Sequence, residues 1–386
     1  MAGFNLVKRL NLKGYFMTRL NLVKRLILKG YFMTRFNLVI GVDFWGKVCY
    51  SFNQLLIDCN LVGFLSERNS IDFQFKLLRR FIMSQTQAMK TLNPELESLT
   101  LVNRIQLAII PFIVAYVKRK KEKHLQETGL PSLNKNFFLF DGFSSHLQLI
   151  RNVAGKSRAL LEIYNFFPNL RWYDLFLPST WVSAFWESLL NAKAVRNRYR
   201  LTKSTLLGAL ELKGNGARVL ELAAGTSQAL LETMSLLKSR GIIVHATLVD
   251  TDATSLEEAR FLARHLGVED QIETVVQNLV HYLKENYKNK KFDVVEMVGI
   301  ADYLNEKYLA FVYETSNKIL SDGGKFITAN ICDNPEKDFI HTVIDWPEMF
   351  YRDLVHMDQV LRSSGFTPTV FKEPAEVYVI GVAEKA

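Results

Sequence analysis

The sequence predicts an α/β protein in which a doubly wound, mainly parallel seven-stranded sheet follows an N-terminal helical cap domain. Two observations predict it. Up to about residue 209, apolar residues recur at three- and four-residue steps, and no strand pattern separates one helix from the next. After Gly214-Asn215-Gly216, short apolar runs alternate with helical segments. Such alternation is typical of a mainly parallel sheet with helices on both faces.

Strands are predicted where short apolar runs end in small or polar residues. Six such runs can be delimited: 218–223, 242–249, 272–276, 292–298, 325–330 and 377–383.

Helices are predicted between these runs. One is expected at 227–239, with Leu230, Met234 and Leu237 on its inner face. Thr254 and Glu257 form a capping box that would open the next helix, and Gly267 would end it.

Residues 83–209 are interpreted as the helical cap and substrate region. An apolar stripe at helical spacing indicates a buried helix face here, formed by Leu92, Leu96, Leu99, Val102, Ile105 and Ile109. An aromatic-rich turn is expected at 137–143. The eleven apolar residues 107–117, followed by four basic ones, are too short to span a bilayer. A buried or surface-lying helix is therefore favoured over a membrane anchor.

Residues 1–82 are interpreted as a repetitive basic extension. Residues 5–10 recur at 21–26 and residues 12–19 at 28–35, with a period of 16. Residues 1–80 hold 13 Lys and Arg against 4 Asp and Glu, which leaves 35 of each sign for residues 81–386. The formal charge of +9 therefore belongs to the extension. Duplicated coding sequence with a true start at Met83 is favoured over a targeting peptide or an unknown binding role.

The three cysteines, Cys49, Cys59 and Cys332, are too few and too scattered for a disulfide framework or a zinc site. The histidines show no metal-binding spacing. We therefore expect no metal and a cytoplasmic protein.

A loop of small residues follows the first strand, at 222–227. Ligands of open parallel sheets bind at the carboxyl ends of the strands, and small residues there allow close backbone approach. The dinucleotide fingerprint would require glycine at 223, 225 and 228, but the chain has Ala223, Gly225 and Gln228.

The run Val219-Leu220-Glu221-Leu222-Ala223-Ala224-Gly225-Thr226-Ser227 resembles motif I of the class I, Rossmann-like, S-adenosylmethionine-dependent methyltransferases. Ala223 and Ser227 replace two of the family's three glycines. Three further segments resemble family motifs in the correct order: 248–252 after the second strand, 292–299 in the fourth, and 318–327 before the fifth. The methyltransferase domain is placed at 210–386.

The resemblance implies that the co-substrate is S-adenosylmethionine, with Glu221 and the loop around its methionine portion and Asp250 on its ribose. A carboxylate suits a vicinal diol because it can accept two hydrogen bonds. The expected cofactor-binding residues are Glu221, Ala223, Gly225, Thr226, Ser227, Asp250, Thr251, Asn278, Leu279, Met297, Gly299, Tyr199 and Arg200. Asp252 is expected to cap the following helix.

Candidate general bases are Asp302, which follows the fourth strand, and His341, in the insertion after the fifth. Trp346, Tyr351 and Arg352 are further candidates for the substrate wall, with packing as the alternative. Arg196, Arg198, Tyr199 and Arg200 could hold the cofactor carboxylate or lie on a solvated helix face.

The predicted function is in-line methyl transfer to a small, apolar or aromatic acceptor. A nucleic-acid partner is disfavoured because residues 81–386 carry no net charge and the family's Asn-Pro-Pro-Tyr-type motif is replaced by Met297-Val298-Gly299-Ile300. Contact with a membrane surface stays open, as does the oligomeric state. The alternatives are a non-catalytic S-adenosylmethionine-binding protein and an NAD-dependent oxidoreductase.

Overall fold

The computed structural model describes residues 96–131, 138–141, 144–171, 174, 176–289 and 291–385. The predictions for the basic extension and its repeats lie outside the described residues. So do the ends of the turn expected at 137–143, whose described part is a short helix. The described residues, apart from 100–102, belong to one compact unit.

Twelve α-helices lie in the described part of the chain. The first six precede the sheet: α1 Leu101–Thr128, α2 Phe138–Asp141, α3 Ser145–Asn152, α4 Ser157–Asn169, α5 Pro178–Trp186 and α6 Leu190–Lys213. The others alternate with strands: α7 Gln228–Ser239, α8 Ala253–His265, α9 Leu279–Asn286, α10 Glu306–Ile319, α11 Lys337–Thr342 and α12 Leu354–Ser363.

The seven strands form one sheet, as predicted. They are β1 Ala217–Leu222, β2 Val244–Asp250, β3 Ile272–Val276, β4 Phe292–Val298, β5 Leu320–Ile331, β6 Phe366–Lys372 and β7 Tyr378–Lys385. Their order is β3-β2-β1-β4-β5-β7-β6, and β7 runs antiparallel to both of its neighbours while the remaining pairs are parallel. The winding reverses between β1 and β4, which is where an open sheet of this kind binds its ligand.

The sheet is buried on both faces. On one side Leu220 and Leu222 of β1 pack with α9 and α10, and on the other side Val219 packs with α6, α7 and α8. Each is fully buried, and burial of such a side chain contributes about 1.5–3 kcal/mol. The inner face expected for 227–239 is confirmed, since Leu230, Met234 and Leu237 are buried in α7.

Strand β6 was not delimited from the sequence. Pro368 interrupts its apolar pattern, and a proline removes a ladder donor. The strand tolerates it because β6 lies at the edge of the sheet and pairs with β7 alone.

The apolar stripe predicted to be buried ahead of the sheet was wrong in its direction. Leu92 lies outside the described residues. Leu96 and Leu99 lie before α1 and are exposed, and Ile105 and Ile109 lie on the outer side of α1. The inner side instead buries Asn103, Gln106, Ile110, Val114 and Val117. Among the described residues, α1 is the one helix long and apolar enough to cross a membrane.

Helix α6 is fixed to the sheet by polar contacts at its start. The Glu336 carboxylate accepts hydrogen bonds from the backbone N–H groups of Leu190 and Asn191, at 2.8 and 2.9 Å. A carboxylate at this end satisfies unpaired helix donors and opposes the positive end of the helix dipole. The first turn of α6 is thereby held against the segment that follows β5.

Candidate active site

A cleft of about 1020 Å³ opens at the carboxyl ends of β1, β2 and β4. This is at the upper limit of the usual ligand pockets, which span about 300–1,000 Å³. Its walls come from the loop after β1, the ends of β2 and β4, the start of α9, and parts of α4 and α6. All of the predicted cofactor-binding residues line it except Met297 and Arg200.

The loop after β1 holds left-handed backbone at each of the three positions where the family has glycine. The φ angles are +55° at Ala223, +54° at Gly225 and +53° at Ser227. A side chain at such an angle costs about 1–2 kcal/mol. Gly225 has a second reason to lack a side chain, because a Cβ there would lie 2.9 Å from the Cβ of Ser157. The loop therefore keeps a tight bend in spite of its two substitutions.

The loop is tied to the end of β2. The Gly225 N–H donates to Asp250 Oδ2 at 2.7 Å, and the Ala224 N–H donates to the Val249 carbonyl at 3.1 Å. The other carboxylate oxygen, Asp250 Oδ1, accepts from the Asp252 N–H at 2.8 Å. Since a carboxylate offers about four lone-pair positions, Asp250 retains acceptor capacity toward the cleft.

Two polar residues of the cleft wall also begin helices. Asp252 accepts from the Thr254 N–H and is the N-cap of α8, as expected, so the capping box at Thr254 was wrong by two residues. Asn278 accepts from the Val280 N–H and is the N-cap of α9. Thr251 and Leu279 line the cleft beside them.

Two carboxyl groups lie side by side on the cleft floor. Glu221 of β1 and Glu296 of β4 are register partners on adjacent strands, and they are 6% and 4% exposed. Burial, and then the Glu296 charge, raises the pKa of Glu221 well above its ordinary value. Burial raises the pKa of Glu296 to about 8, against an opposing effect of Arg198.

Met297 was wrongly assigned to the cofactor site. It is fully buried in the core on the opposite side of β4, whereas its neighbours Glu296 and Val298 line the cleft. Successive side chains of a strand point to opposite faces, so one residue of register separates core from site.

The side chains of residues 196–200 lie in different surroundings. Arg196 is buried in an ion pair with Glu97 and Glu187, and Arg200 pairs with Glu97 at 3.0 Å, outside the cleft. The assignment of Arg200 was therefore wrong. Arg198 and Tyr199 line the cleft instead.

Arg198 is the buried cation of the cleft wall. It lies 4.5 Å above the Tyr378 ring and 3.7 Å from the Asp302 carboxylate, and its guanidinium lies beside Gly299. Among the described residues, its Nε has no hydrogen-bond partner. Tyr199 stacks on Tyr164 at 4.7 Å, and its hydroxyl donates to Glu232 at 2.6 Å.

Of the two candidate bases, Asp302 lines the cleft and His341 does not. Asp302 is 2% exposed, and its Oδ1 accepts from the Ile331 N–H at 2.6 Å. Burial raises its pKa, while Arg198 opposes the rise. The His341 ring forms hydrogen bonds with the Trp346 carbonyl at 2.9 Å and the Tyr351 hydroxyl at 2.7 Å, so it stabilises the insertion after β5. The catalytic assignment of His341 is not supported by its position.

Arg352 likewise has a packing role. It donates to the carbonyls of Ala301 and Leu304 and to Asn330, and it pairs with Glu306.

A small apolar cavity of about 60 Å³ adjoins the cleft. Trp346 and Tyr378 line both spaces. The rest of its wall is mainly aliphatic and aromatic. It comes from α2 to α6 and the segment after β5, and includes Phe140, Ile163, Trp186, Ile340 and Met349. Tyr378 and Tyr164 were not singled out from the sequence, because an aromatic residue distant from every motif carries no signal of its own.

Within the described residues, no group of three or more His, Cys, Asp or Glu side chains could hold a metal ion.

Comparison with known proteins identifies the domain. Residues 213–376 match the family model described as a methyltransferase domain. The resemblance to the class I methyltransferases is thereby confirmed for residues 213–376. No curated protein sequence matches.

Solved structures are similar to this chain at low sequence identity. A possible exported protein from Bordetella parapertussis is 15% identical, with a TM-score of 0.55 over 72% of this chain and 96% of its own. An O-methyltransferase family protein from Burkholderia thailandensis is 16% identical, with a TM-score of 0.40 over 52% and 60%. Magnesium protoporphyrin IX methyltransferase from Synechocystis PCC 6803, with bound S-adenosylhomocysteine, is 13% identical, with a TM-score of 0.40 over 51% and 87%.

Proposed function

Since residues 213–376 carry a methyltransferase domain, we propose that the protein transfers a methyl group from S-adenosylmethionine to a small, apolar or aromatic acceptor. One observation carries the proposal: the loop after β1 and Asp250 meet in a cleft that shares two wall residues, Trp346 and Tyr378, with an apolar cavity. Polar recognition of a cofactor and apolar recognition of an acceptor would then occupy adjoining spaces.

The residues of the cleft fit the co-substrate. Glu296 Oε2 and Arg198 Nε are buried polar atoms without a partner among the described residues. Such atoms are costly to bury unless a ligand satisfies them. Glu221, Glu296 and the loop would hold the methionine portion, Arg198 its carboxylate, and Asp250 the ribose hydroxyls. When bound, the co-substrate supplies a methyl group on a cationic sulfur, which is displaced in line by the acceptor.

The chain's own part in the chemistry is mainly positioning. Holding the reacting atoms in line can supply several kcal/mol of the barrier, about 7–11 in ideal intramolecular models. The Trp346 indole donates to the Tyr303 hydroxyl at 2.8 Å, and the two side chains wall the cleft where it meets the cavity. They would orient the acceptor and exclude water. Where the acceptor must lose a proton, Asp302 is the proposed base.

Two measurements test the proposal. Calorimetry with S-adenosylhomocysteine should give saturable binding, and NAD⁺ should give none. A methyl-release assay against a panel of small aromatic and aliphatic hydroxyl compounds should then identify an acceptor. Binding without turnover would favour a non-catalytic S-adenosylmethionine-binding protein, and stabilisation by NAD⁺ alone would favour an oxidoreductase.

Helix α1 supports a membrane-surface partner for the same protein. Its inner residues Ile110, Val114 and Val117 are packed in the core, so it lies along the protein and presents its outer side. That side carries Ile109 and Phe112, which are 37% and 77% exposed, and continues at helical spacing to basic residues: Arg119, Lys120 and Lys123. Apolar residues followed by cations are typical of helices that lie on anionic membranes.

The measurement is co-sedimentation with vesicles of phosphatidylserine and phosphatidylcholine. Binding should require phosphatidylserine and should fall in Phe112→Ser but not in Phe261→Ser, which removes another exposed phenylalanine, from α8. Equal loss in both variants would contradict the proposal. A cytoplasmic location is proposed alongside it.

A further inference from the structure

The segment ahead of α1, residues 96–99, is fastened to the middle of α6. The Glu97 carboxylate accepts hydrogen bonds from Arg196 Nε and Nη2, both at 2.7 Å, and from Arg200 Nη1 at 3.0 Å. The Glu97 N–H donates to Asn197 Oδ1 at 2.6 Å, and the Asn197 amide donates to the Glu97 carbonyl at 2.7 Å. One residue of this segment therefore contacts three residues of α6.

The contact between Glu97 and Arg196 is a charged one that is largely shielded from water. The Arg196 side chain is 2% exposed and that of Glu97 is 23% exposed. Burial alone would raise the pKa of Glu97, but the hydrogen bond and charge of Arg196, together with the charges of Arg200 and Lys193, lower it below its ordinary value. Glu97 is therefore ionised at neutral pH, and its pair with Arg196 has the strong, two-bonded geometry that guanidinium and carboxylate groups form.

Helix geometry links these contacts to the cleft. Arg196 and Arg200 lie four residues apart, and because each residue turns by about 100°, they occupy the same side of α6. Arg198 is turned by about 200° from Arg196, so it lies on the opposite side, where it lines the cleft. A rotation of α6 that displaced Arg196 from Glu97 would therefore also displace Arg198 within the cleft wall.

The contacts of Arg198 on the cleft side are weak. Its guanidinium lies 3.7 Å from the Asp302 carboxylate, which is longer than a direct hydrogen bond, and 4.5 Å from the centre of the Tyr378 ring. Its Nε has no hydrogen-bond partner among the described residues. The rotation of α6 at this point is thus set from the opposite side, by Glu97 and by Glu187, which also accepts from Arg196.

We infer that Glu97 is a positioning residue for co-substrate binding, because by holding Arg196 and Arg200 together it directs Arg198 into the cleft. The inference rests on the proposed function, in which Arg198 binds the carboxylate of the co-substrate. Glu97 does not line the cleft, and it lies far ahead of the matched residues 213–376. The binding site therefore depends on a segment that carries none of the family motifs.

The experiment compares two ligands of the full chain by calorimetry. S-adenosylhomocysteine carries the amino-acid carboxylate, whereas 5′-methylthioadenosine keeps the adenosine and the thioether but lacks the amino acid. Glu97→Gln should lower the affinity for S-adenosylhomocysteine about tenfold, within the range for residues that act on a site through their neighbours. The affinity for 5′-methylthioadenosine should stay within about twofold. A general loss of structure would lower both affinities, so the ratio between them reports positioning alone.

A matched control comes from a second buried ion pair, between Asp141 of α2 and Arg151 of α3. Asp141→Asn makes the same chemical change without touching α6. It should lower the melting temperature, because breaking a buried pair leaves a charge unpaired, but it should leave the ratio of the two affinities unchanged.

A milder variant covers the case in which Glu97→Gln does not fold. Arg200→Gln removes the more exposed partner of Glu97, whose side chain is 28% exposed. It should lower the affinity for S-adenosylhomocysteine about threefold and leave that for 5′-methylthioadenosine unchanged.

The outcomes separate this inference from the proposed function. If the unsubstituted chain does not bind S-adenosylhomocysteine, the proposed function fails. If it binds, and the variants at Glu97 and Arg200 leave its affinity unchanged or weaken both ligands equally, the inference is wrong while the proposed function stands. A selective loss of S-adenosylhomocysteine binding in Asp141→Asn would also overturn the inference.

Discussion

The Gly225 N–H donates to the Asp250 carboxylate across 2.7 Å, which joins the loop after the first strand to the end of the second. The methyltransferase interpretation required these two elements to meet at one edge of the sheet, because one ligand must contact both. They meet through the register of β1 with β2, in which Leu222 lies opposite Val249. The loop and the acid thus form one binding surface.

Asp250→Asn should weaken S-adenosylhomocysteine binding by about tenfold to a hundredfold, since hydrogen bonds to a charged acceptor contribute about 1.5–3 kcal/mol. The amide keeps one oxygen for the Gly225 N–H, so the loop should survive, although the bond from the Asp252 N–H is lost. Isothermal calorimetry measures the change. Asp322→Asn, on a fully exposed side chain in β5, serves as the control. Equal affinities for the two variants would remove Asp250 from the site.

Ala223→Gly should stabilise the protein by about 0.5–1 kcal/mol. Glycine relieves the left-handed strain of about 1–2 kcal/mol at φ +55°, and part of this gain is lost to the greater freedom of the unfolded chain. Urea unfolding gives the difference. The adjacent Ala224 has ordinary backbone, so Ala224→Gly should destabilise. A loss of stability in both variants would mean that residue 223 carries no strain.

Arg198→Lys should reduce S-adenosylhomocysteine affinity at least tenfold, whereas Arg200→Lys should leave it within about twofold. A guanidinium presents a planar fork that suits a carboxylate, and an ammonium does not reproduce it. Arg198 lies in the cleft wall and Arg200 pairs with Glu97 outside it. The reverse order of effects would place the cofactor on the other side of α6.

The comparison of these two arginines shows what the sequence could and could not predict. Motif order and spacing located the loop, Asp250 and the strand ends correctly, because those features are local in the chain. Which residues of 196–200 face the sheet depends on the rotation of α6, where each residue turns by about 100°. That rotation is fixed by the Arg196 and Glu336 contacts, which come from distant segments.

The same reason explains Met297 and α1. The burial of β4 on both faces leaves no alternation of apolar and polar residues to show which face meets the ligand. In α1, apolar residues occur on both sides, and the buried side was decided by Asn103 and Gln106. Their amides donate to the carbonyls of Ser188, between α5 and α6, and of Phe185, near the end of α5. Polar residues that are buried because they form such contacts cannot be recognised from the periodicity of apolar residues.

Ala192→Leu should lower turnover of the acceptor without changing S-adenosylhomocysteine affinity. Ala192 lines the apolar cavity but not the cofactor cleft, so the added atoms would occupy the acceptor's space alone. The measurement is KM for the acceptor beside calorimetry with S-adenosylhomocysteine, and the melting temperature verifies that the variant folds. An unchanged KM would mean that the acceptor does not enter this cavity.

Glu296→Gln should make the protein more stable in alkaline solution. The folded-state pKa of Glu296 is raised to about 8 from an ordinary value of 4.5, so between these values the folded chain holds a proton that the unfolded chain has lost. The contribution of Glu296 to the free energy of unfolding is therefore fully present below pH 4.5. It is lost as the pH rises toward 8, by about 1.4 kcal/mol per pH unit. The glutamine variant lacks this loss. Urea unfolding at pH 5.5, 6.5 and 7.5 should show that the stability of Glu296→Gln rises at each step relative to that of the unsubstituted chain. The stability of Glu314→Gln, which lies on the exposed side of α10, should change with pH as that of the unsubstituted chain does. A constant difference between Glu296→Gln and the unsubstituted chain would show that Glu296 is ionised in the folded protein.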